Sequence, residues 1–465
     1  MILQKLKLKE KIGYGFGDAA SSMFWKLFSM YLMFFYTDVF GISATLVGTM
    51  FLVTRIWDAA FDPFVGILGD RTETRWGKFR PYLLWVAIPF GIIGVLTFTT
   101  PSFSPSGKVI YAFITYSLMM MVYSMINVPY ASLMGVMTSD GKERTTLATF
   151  RFIFAFGGSL LVLALAEPLV SIFSNKGAHP QFGWQMAAVL FALLAVFFFW
   201  LTFYWTRERI KPVTETTSLK DDLKDLFRNK PWFILLGAGI AAIFFNSIRD
   251  GAAIYYFKYY ILTQGAFSIN AFKLTISFSS LYFVLGQAAN IGGVLLAKPV
   301  SDQIGKKNTF MIAMLLAAVF SIIFYWLDRS NIVLIFVFQF LISINAGIIF
   351  PLVWSMYADA ADYSEWKTGR RATGLVFSAS SMSQKFGWTI GGALAGWLLG
   401  YYGFKANVVQ TIEAQTGIRM MLSFFPAIGT LVGAFFMLIY PLKESFMLQI
   451  ESELAERRNL KMGME

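Results

Sequence analysis

Long apolar runs alternate with short polar segments along the whole chain. Each run reaches or exceeds the roughly 20 residues that a membrane-spanning helix needs. The pattern predicts an all-α membrane protein of twelve transmembrane helices, six on either side of a polar central segment. The predicted spans are 12–40, 44–67, 81–100, 108–137, 147–173 and 183–206, followed by 232–263, 273–298, 308–327, 331–360, 372–400 and 418–441.

Lysine and arginine are distributed unevenly between the two sides of this arrangement. The termini and even-numbered loops carry 27 of these residues, and the other side carries 7. Cytoplasmic segments are enriched in positive charge, so both termini are expected in the cytoplasm. The predicted parts are an N-terminal six-helix bundle (1–206), a cytoplasmic central loop (207–231), a C-terminal six-helix bundle (232–442) and a cytoplasmic tail (443–465).

The amino-acid composition of the chain excludes several classes of function. The chain is 57% hydrophobic and only 14% charged, which places it among integral membrane proteins. Its net charge of +12 is spread over short loops, so no nucleic-acid partner is expected. There are no cysteines, and the single histidine, His179, lies in a predicted loop. Thiol chemistry and an intramembrane histidine relay are therefore excluded, and the absence of a nucleophile–base pair or phosphate loop argues against an enzyme.

The two halves of the chain repeat several features. GDR at 69–71 and WGK at 76–78 fall between spans two and three, and SD at 301–302 with GKK at 305–307 falls between spans eight and nine. Pro129 and Pro351 interrupt spans four and ten at matching places. Parallel six-span repeats are typical of the major facilitator superfamily, in which a substrate site lies at the midplane between two pseudo-symmetric bundles.

Two acids in the second span indicate an ion site. Asp58 and Asp62 are four residues apart, which places both carboxylates on one helix face. Acids at this depth are costly and usually mark an ion or proton site. The structural alternative is that neighbours such as Arg55 and Lys385 satisfy both acids without any bound ion.

Short motifs recur along the chain, at GYGFGD (13–18), YTD (36–38), RIWD (55–58) with DP (62–63), RWGKFRP (75–81), NVPY (127–130), GKKNTF (305–310) and ADAADY (358–363). These motifs resemble those of the glycoside–pentoside–hexuronide:cation symporters, the family of the melibiose permease, the glucuronide carrier and the xyloside transporters. The resemblance covers essentially all twelve spans. It implies a secondary active transporter in a bacterial inner membrane that imports a sugar or glycoside with H⁺, Na⁺ or Li⁺ by alternating access.

The resemblance also assigns roles to residues. It implies that Asp58 and Asp62 are the cation-site carboxylates, with Lys385 and the hydroxyl of Ser124 beside them, and that Arg151 lies near the sugar. The sequence departs from the melibiose permease at several of that protein's ligand positions, which places the galactoside preference of that relative in doubt. The departures are Phe61 for an asparagine, Ser22 and Asn127 for two sugar-binding aspartates, and Ala131 and Phe350 for two tryptophans.

Polar and aromatic side chains within the spans are the candidates for sugar binding, because sugars are held by hydroxyl-binding groups and an aromatic face. The alternatives are core packing for Tyr123 and a structural ion pair for Arg249 and Asp250. The first-half candidates are Asp18, Ser22, Tyr123, Asn127 and Arg151, and the second-half candidates are Asn246, Arg249, Asp250, Phe350, Trp354, Ser381, Gln384 and Lys385.

Charges in the loops predict a cytoplasmic gate of ion pairs that holds the halves together when the site faces outward. Each exposed pair contributes little, usually below about 1 kcal/mol, so only a network would bias the equilibrium. The alternative is that these charges only fix the topology. The gate candidates are Asp70, Arg71, Arg75, Lys78 and Arg144.

The sequence leaves the coupling ion open between H⁺ and Na⁺. Phe61 supplies no oxygen ligand, which favours a proton at Asp58 and Asp62. No cofactor is expected, and the partners are a small sugar or glycoside of xyloside, glucoside or glucuronide type and the lipid bilayer, with the protein a monomer. Two other functions stay open: a cation-coupled carrier of lysolipids or other amphiphiles, and a non-transporting membrane sugar sensor.

Overall fold

The computed structural model describes residues 6–138, 141–175, 178–209, 226–262, 266–269, 274–369 and 373–462. Within these ranges the regular secondary structure is helical except for one short antiparallel hairpin, in which Ala266 pairs with Ser277 and Ile269 with Leu274. Eight of the described helices are long and apolar enough to cross a membrane. The all-helical fold class is confirmed, and the count of twelve spans stays a prediction.

The first half of the chain contains the first seven helices. The third predicted span is divided at Val86 into two short helices, and the first span ends in two π-helical segments, which were not predicted. The elements are α1 (Leu8–Leu27), the π-helical segments Phe28–Leu32 and Phe35–Val39, α2 (Ala44–Arg71), α3 (Arg80–Trp85), α4 (Ala87–Thr97), α5 (Pro105–Met137), α6 (Gly141–Phe173) and α7 (Pro180–Trp205).

The second half follows a similar order. Its first helix also ends in a π-helical segment, and the last predicted span is divided into two helices. The elements are α8 (Lys230–Tyr255), the π-helical segment Tyr256–Ile261, β1 (Ala266–Ile269), β2 (Leu274–Ser277), α9 (Phe278–Ile304), α10 (Lys306–Phe324), α11 (Ile332–Thr368), α12 (Thr373–Tyr401), α13 (Ile412–Leu422), α14 (Phe424–Ile439) and α15 (Glu444–Met462).

Local sequence explains where several helices begin and end. Ser104 caps α5 by accepting a hydrogen bond from the backbone N–H of Gly107, and Pro105 occupies the first turn, where its missing N–H costs nothing. Asn331 caps α11 in the same way, and Gly369 ends that helix in the left-handed conformation that glycine tolerates.

The structure divides into two packing units. The first comprises the described residues of Met1–Thr214, Ala253–Val284 and Gly392–Gln415, and the second those of Glu215–Ala252, Leu285–Gly391 and Thr416–Glu465. Two segments of the second half of the sequence therefore pack with the first unit. The division of the chain into 1–206, 207–231, 232–442 and 443–465 stays a prediction.

The two units share one packing device, in which a buried tyrosine binds a backbone carbonyl. In the first unit Tyr130 donates to the carbonyl of Tyr14 at 2.7 Å, and in the second Tyr357 donates to that of Leu235 at 3.1 Å. The first bond joins α5 to α1, and the second joins α11 to α8. A hydroxyl buried away from water needs such a partner, so the sequence repeat extends to individual contacts.

The first unit depends on close helix contact at a glycine. α1 packs against α6 with Gly158 at the crossing, where an added Cβ would lie 2.5 Å from the carbonyl oxygen of Ala19. Only glycine allows this approach. The crossing fixes α1 and α6 as a pair, and both helices carry polar residues of the site.

Candidate functional site

Two carboxyl groups and one hydroxyl lie together in the first unit. α2 presents Asp58 and Asp62 one turn apart, and α5 brings Ser124 to both. Ser124 Oγ lies 2.8 Å from Asp58 Oδ1 and 2.6 Å from Asp62 Oδ1. Asp58 and Ser124 are each 3% exposed. The structure therefore brings together three of the four residues predicted to bind the coupling ion.

The two short contacts of Ser124 need more hydrogens than its hydroxyl carries. A serine hydroxyl carries one hydrogen, so it can donate to only one of two carboxylates at a time. The other short oxygen–oxygen contact needs a hydrogen from the second carboxyl group, or a cation between the oxygens. Arg55 Nη1 lies 3.6 Å from Asp58 Oδ2, and the Arg55 guanidinium stacks on Trp25.

An ion pair joins α1 to α6 in the same unit. Arg151 Nε donates to Asp18 Oδ2 at 2.9 Å, and the Arg151 guanidinium also lies over the ring of Tyr130. Asp18 is 8% exposed. Pairing satisfies an acid that would otherwise be costly at this depth, and it holds both groups in a fixed orientation.

The other first-half candidates lie on the same helices. Ser22 is one turn beyond Asp18 on α1 and is half-buried. The amide of Asn127 donates to the carbonyl of Tyr123 at 3.0 Å, and the Tyr123 ring contacts Trp25 with 5.6 Å between ring centres. Tyr123 thus packs as an aromatic residue, as the alternative interpretation expected, and its contact with a sugar stays a prediction.

The second unit contains a small open cleft. Asn246, Phe350 and Gln384 line it, together with small residues such as Gly239 and Ser383. The Asn246 amide donates one hydrogen to the carbonyl of Ala242 at 3.0 Å. An amide carries a second N–H and a carbonyl oxygen, so Asn246 retains hydrogen-bonding capacity toward a ligand.

Arg249 is buried among helices of the second unit and is 6% exposed. Its Nη2 donates to Gln339 Oε1 at 2.8 Å, and its Nη1 donates to the carbonyl of Leu422. The guanidinium also lies over the ring of Phe324. These bonds join α8 to α11 and α13, and they favour a structural role without testing a contact with substrate.

The structure gives less information about the remaining candidates of the second half. Trp354 contacts Tyr357 edge-on, and Asp250 and Lys385 are half-buried residues of the second unit. The side chain of Ser381 lies outside the described residues. The roles of all four stay predictions.

The predicted gate residues are only partly described. Arg71 and Arg75 are exposed, and Arg75 stacks on Trp76. The side chains of Asp70 and Arg144 lie outside the described residues. The backbone N–H of Lys78 donates to Glu208, whose carboxylate also accepts from the N–H groups of Phe79 and Arg80 at 2.8 and 2.9 Å. Glu208 thereby caps α3, a contact that the sequence analysis did not anticipate.

A polar cluster that was not predicted from the sequence is centred on Asp38. We call it the Asp38 cluster and define it by Thr37, Asp38, Lys258, Tyr259 and Asn407. The Asp38 side chain is 1% exposed and accepts from Lys258 Nζ at 2.7 Å, from Thr37 at 2.6 Å and from the Tyr259 hydroxyl. Asn407 donates to the Asp38 carbonyl at 2.6 Å and accepts from Lys258 at 2.8 Å. The cluster fastens the end of the first span to those of the seventh and eleventh.

A signal for part of this cluster was present in the sequence. The YTD motif at 36–38 places an acid in an apolar span, and Lys258 lies at the equivalent end of span seven. Their pairing spans 220 residues, so spacing along the chain gives no indication of it.

Comparisons with known proteins agree with this arrangement. Residues 13–444 match the family described as MFS/sugar transport protein. The inner membrane symporter YicJ of Escherichia coli is 39% identical over 92% of this chain and 90% of its own. The isoprimeverose transporter of Lactiplantibacillus pentosus is 39% identical over 93% of this chain and 88% of its own.

A solved structure supports the fold. The crystal structure of a D-xylose–proton symporter aligns with a TM-score of 0.62 and 14% identity, covering 94% of this chain and 97% of that one. At this identity the likeness concerns the fold alone.

Proposed function

We propose a proton-coupled mechanism for this chain, which belongs to the MFS/sugar transport protein family and, within it, to the glycoside–pentoside–hexuronide:cation symporters. Its relatives are transporters, so the chain is a multi-pass membrane transporter and not an enzyme. The same relatives disfavour a sugar sensor or an amphiphile carrier. The proposed cargo is a glycoside of xyloside, glucoside or glucuronide type, because one of the similar proteins is an isoprimeverose transporter.

The proposed coupling ion is a proton held by Asp62. The supporting observation is the single hydroxyl of Ser124 between two carboxyl groups, 2.8 and 2.6 Å away. One added hydrogen completes both contacts, whereas Na⁺ requires several oxygen ligands and Phe61 supplies none. Asp58, beside Arg55, orients the hydroxyl.

Loss of the proton would leave two carboxylates at one site, an arrangement that is disfavoured by repulsion. Release of the proton is therefore coupled to a rearrangement around α2 and α5. Sugar binding is proposed to involve Asp18 and Arg151 in the first unit and Asn246, Phe350 and Gln384 in the second. The amides would bind sugar hydroxyls, and Phe350 would offer an apolar face.

The test uses purified protein in liposomes with a labelled xyloside. An imposed pH gradient is expected to drive accumulation, and an Na⁺ gradient at constant pH is expected to have no effect. Asp62→Asn should abolish accumulation but retain counterflow exchange, since an amide cannot release a proton. Accumulation that follows Na⁺ at constant pH would replace the proton by sodium, and full accumulation by Asp62→Asn would contradict the coupling role.

Three further properties belong to this proposal. We expect a bacterial inner membrane location with both termini in the cytoplasm, and a monomer as the functional unit. Lys385 is proposed to favour the ionised form of an acid at the coupling site, as the family resemblance implies. Cysteine labelling from either side of the membrane tests the orientation, because the natural chain contains no cysteine.

A further inference from the structure

A half-buried acid, Glu167, lies in the first unit near the end of α6. Glu167 Oε2 accepts hydrogen bonds from the hydroxyl of Ser279 at 2.6 Å and from that of Ser277. Both serines lie at the junction of β2 and α9. The contacts fasten the end of α6 to this junction, and neither the coupling mechanism nor the sugar site uses them.

The other oxygen of this carboxyl group is in a different situation. Glu167 Oε1 is shielded from solvent and has no hydrogen-bond partner among the described residues. The same holds for the Tyr31 hydroxyl and Ser280 Oγ, and both side chains are fully buried. Tyr31 and Ser280 are close enough to Glu167 to interact with it. Three buried polar atoms thus meet at one place, and none of them makes a hydrogen bond of standard geometry among the described residues.

A hydrogen on Oε1 would account for this pattern. In a neutral carboxylic acid, the carbonyl oxygen accepts two hydrogen bonds and the hydroxyl donates one. Oε2 already accepts from Ser277 and Ser279, which fits the carbonyl oxygen. Oε1 would be the hydroxyl and would donate to Ser280 or Tyr31 after a small movement.

The surroundings of Glu167 also favour the neutral form. No ion pair to Glu167 occurs within the described part of the chain, where the groups facing it are Tyr31, Ser277, Ser279 and Ser280. The N-terminus of α9 favours a negative charge, but this effect is smaller than the cost of burying an unpaired carboxylate. Lys273 lies outside the described residues and is included in the test for that reason.

We propose that Glu167, with Tyr31, Ser277, Ser279 and Ser280, forms a second proton-binding site separate from Asp58 and Asp62. The proton is bound in the conformation described here and holds the end of α6 against the junction of β2 and α9. Ionisation releases this contact. The site would make transport sensitive to pH independently of the ion that drives accumulation, so it does not require the proposed role of Asp62.

Infrared spectroscopy of the purified full-length protein near neutral pH tests the proposal directly. The absorption of protonated carboxylic acids should decrease in Glu167→Gln and, separately, in Asp62→Asn, and should decrease most in the double variant. An unchanged band in Glu167→Gln would overturn the second site. An unchanged band in Asp62→Asn alone would overturn only the proposed coupling site.

Counterflow of a labelled xyloside as a function of pH provides the second measurement. Above the pH at which Glu167 ionises, the conformation described here should lose occupancy about tenfold per pH unit. The wild-type exchange rate should therefore depend on pH, and that of Glu167→Gln should vary by less than about twofold over the same range. An identical pH profile in the two proteins would contradict the proposal.

Two control experiments distinguish a bound proton from an ion pair with Lys273 and from a bound sodium ion. Lys273→Gln should leave the infrared band unchanged, and appearance of a new carboxylic acid band in this variant would show that Lys273 pairs with an ionised Glu167. Binding of radioactive Na⁺ at constant pH should be the same in Glu167→Gln and wild type. Loss of Na⁺ binding in that variant would assign the site to sodium instead.

If Glu167→Gln does not fold, Ser279→Ala should shift the frequency of the band, and an unshifted band would contradict the proposal.

Discussion

Replacing Lys258 by methionine should loosen the Asp38 cluster. The substitution keeps most of the apolar length of the side chain but removes the ammonium group, which lies 2.7 Å from Asp38 Oδ1. The Asp38 side chain is 1% exposed, so its charge would be left in a poorly solvated place. Thr37 and Tyr259 would still donate to it, which limits the loss.

The size of the effect follows from this burial. Breaking a fully buried ion pair by removing one partner costs about 3–5 kcal/mol. Lys258 is 31% exposed, and two hydroxyl donors stay in place, so the cost should be nearer to about 2 kcal/mol. Since about 1.4 kcal/mol corresponds to a factor of ten, the cluster should open roughly 30-fold more often.

Alkylation of a cysteine introduced at Thr37 measures this opening. Thr37 is 2% exposed, and the natural chain has no cysteine, so the reaction reports on one site. The thiol of Thr37→Cys keeps a hydrogen-bond donor toward Asp38, although a weaker one than the hydroxyl. The alkylation rate of this protein should rise roughly 30-fold when Lys258→Met is added. The matched control is Lys298→Met, which removes the exposed 2.7 Å ion pair with Asp302 and should have no effect. A change below about twofold with Lys258→Met, or an equal change with Lys298→Met, would refute the reasoning.

Ser124→Ala should weaken binding of the coupling ion about 10- to 100-fold in a pH-dependent transport assay, because hydrogen bonds to charged groups contribute about 1.5–3 kcal/mol; unchanged pH dependence would contradict this. Gln384→Ala should raise the KM for sugar and leave the melting temperature unchanged. Arg249→Gln should leave the KM unchanged and lower the melting temperature by an amount equivalent to about 2–3 kcal/mol, because it deprives buried carbonyl groups of their donor. A raised KM without destabilisation would make Arg249 a substrate ligand. Gly158→Val should reduce the yield of folded protein, and normal yield and stability would show that α1 and α6 can separate.

The parts of the structure that depend on local spacing could be predicted from the sequence. The apolar runs gave the helices, and the four-residue spacing of Asp58 and Asp62 placed their carboxyl groups on one face. Ser124 was assigned by family resemblance and lies between them. Glu167 is the only acid in the fifth span, so the rule that identified Asp18 would also have identified it.

Other features of the structure were not predicted. The Asp38 cluster joins residues 220 and 369 positions apart in the sequence, and only packing determines that they meet. The division of the third span at Val86 and the hairpin of β1 and β2 were also unpredicted. Pro89 was a local signal for the first of these, because proline cannot donate the backbone hydrogen bond that would continue the helix from Trp85.

The π-helical segments have a mechanical consequence. Asp38 lies in one of them and Lys258 in another. A π-helical turn accommodates one extra residue, and moving that residue along the helix turns the intervening stretch by one position, about 100°. This rotation would move the side chain of Asp38 or Lys258 away from its partners, while most backbone hydrogen bonds of the helix are kept. The Asp38 cluster could thus be undone by rotation of a helix end, without unwinding it.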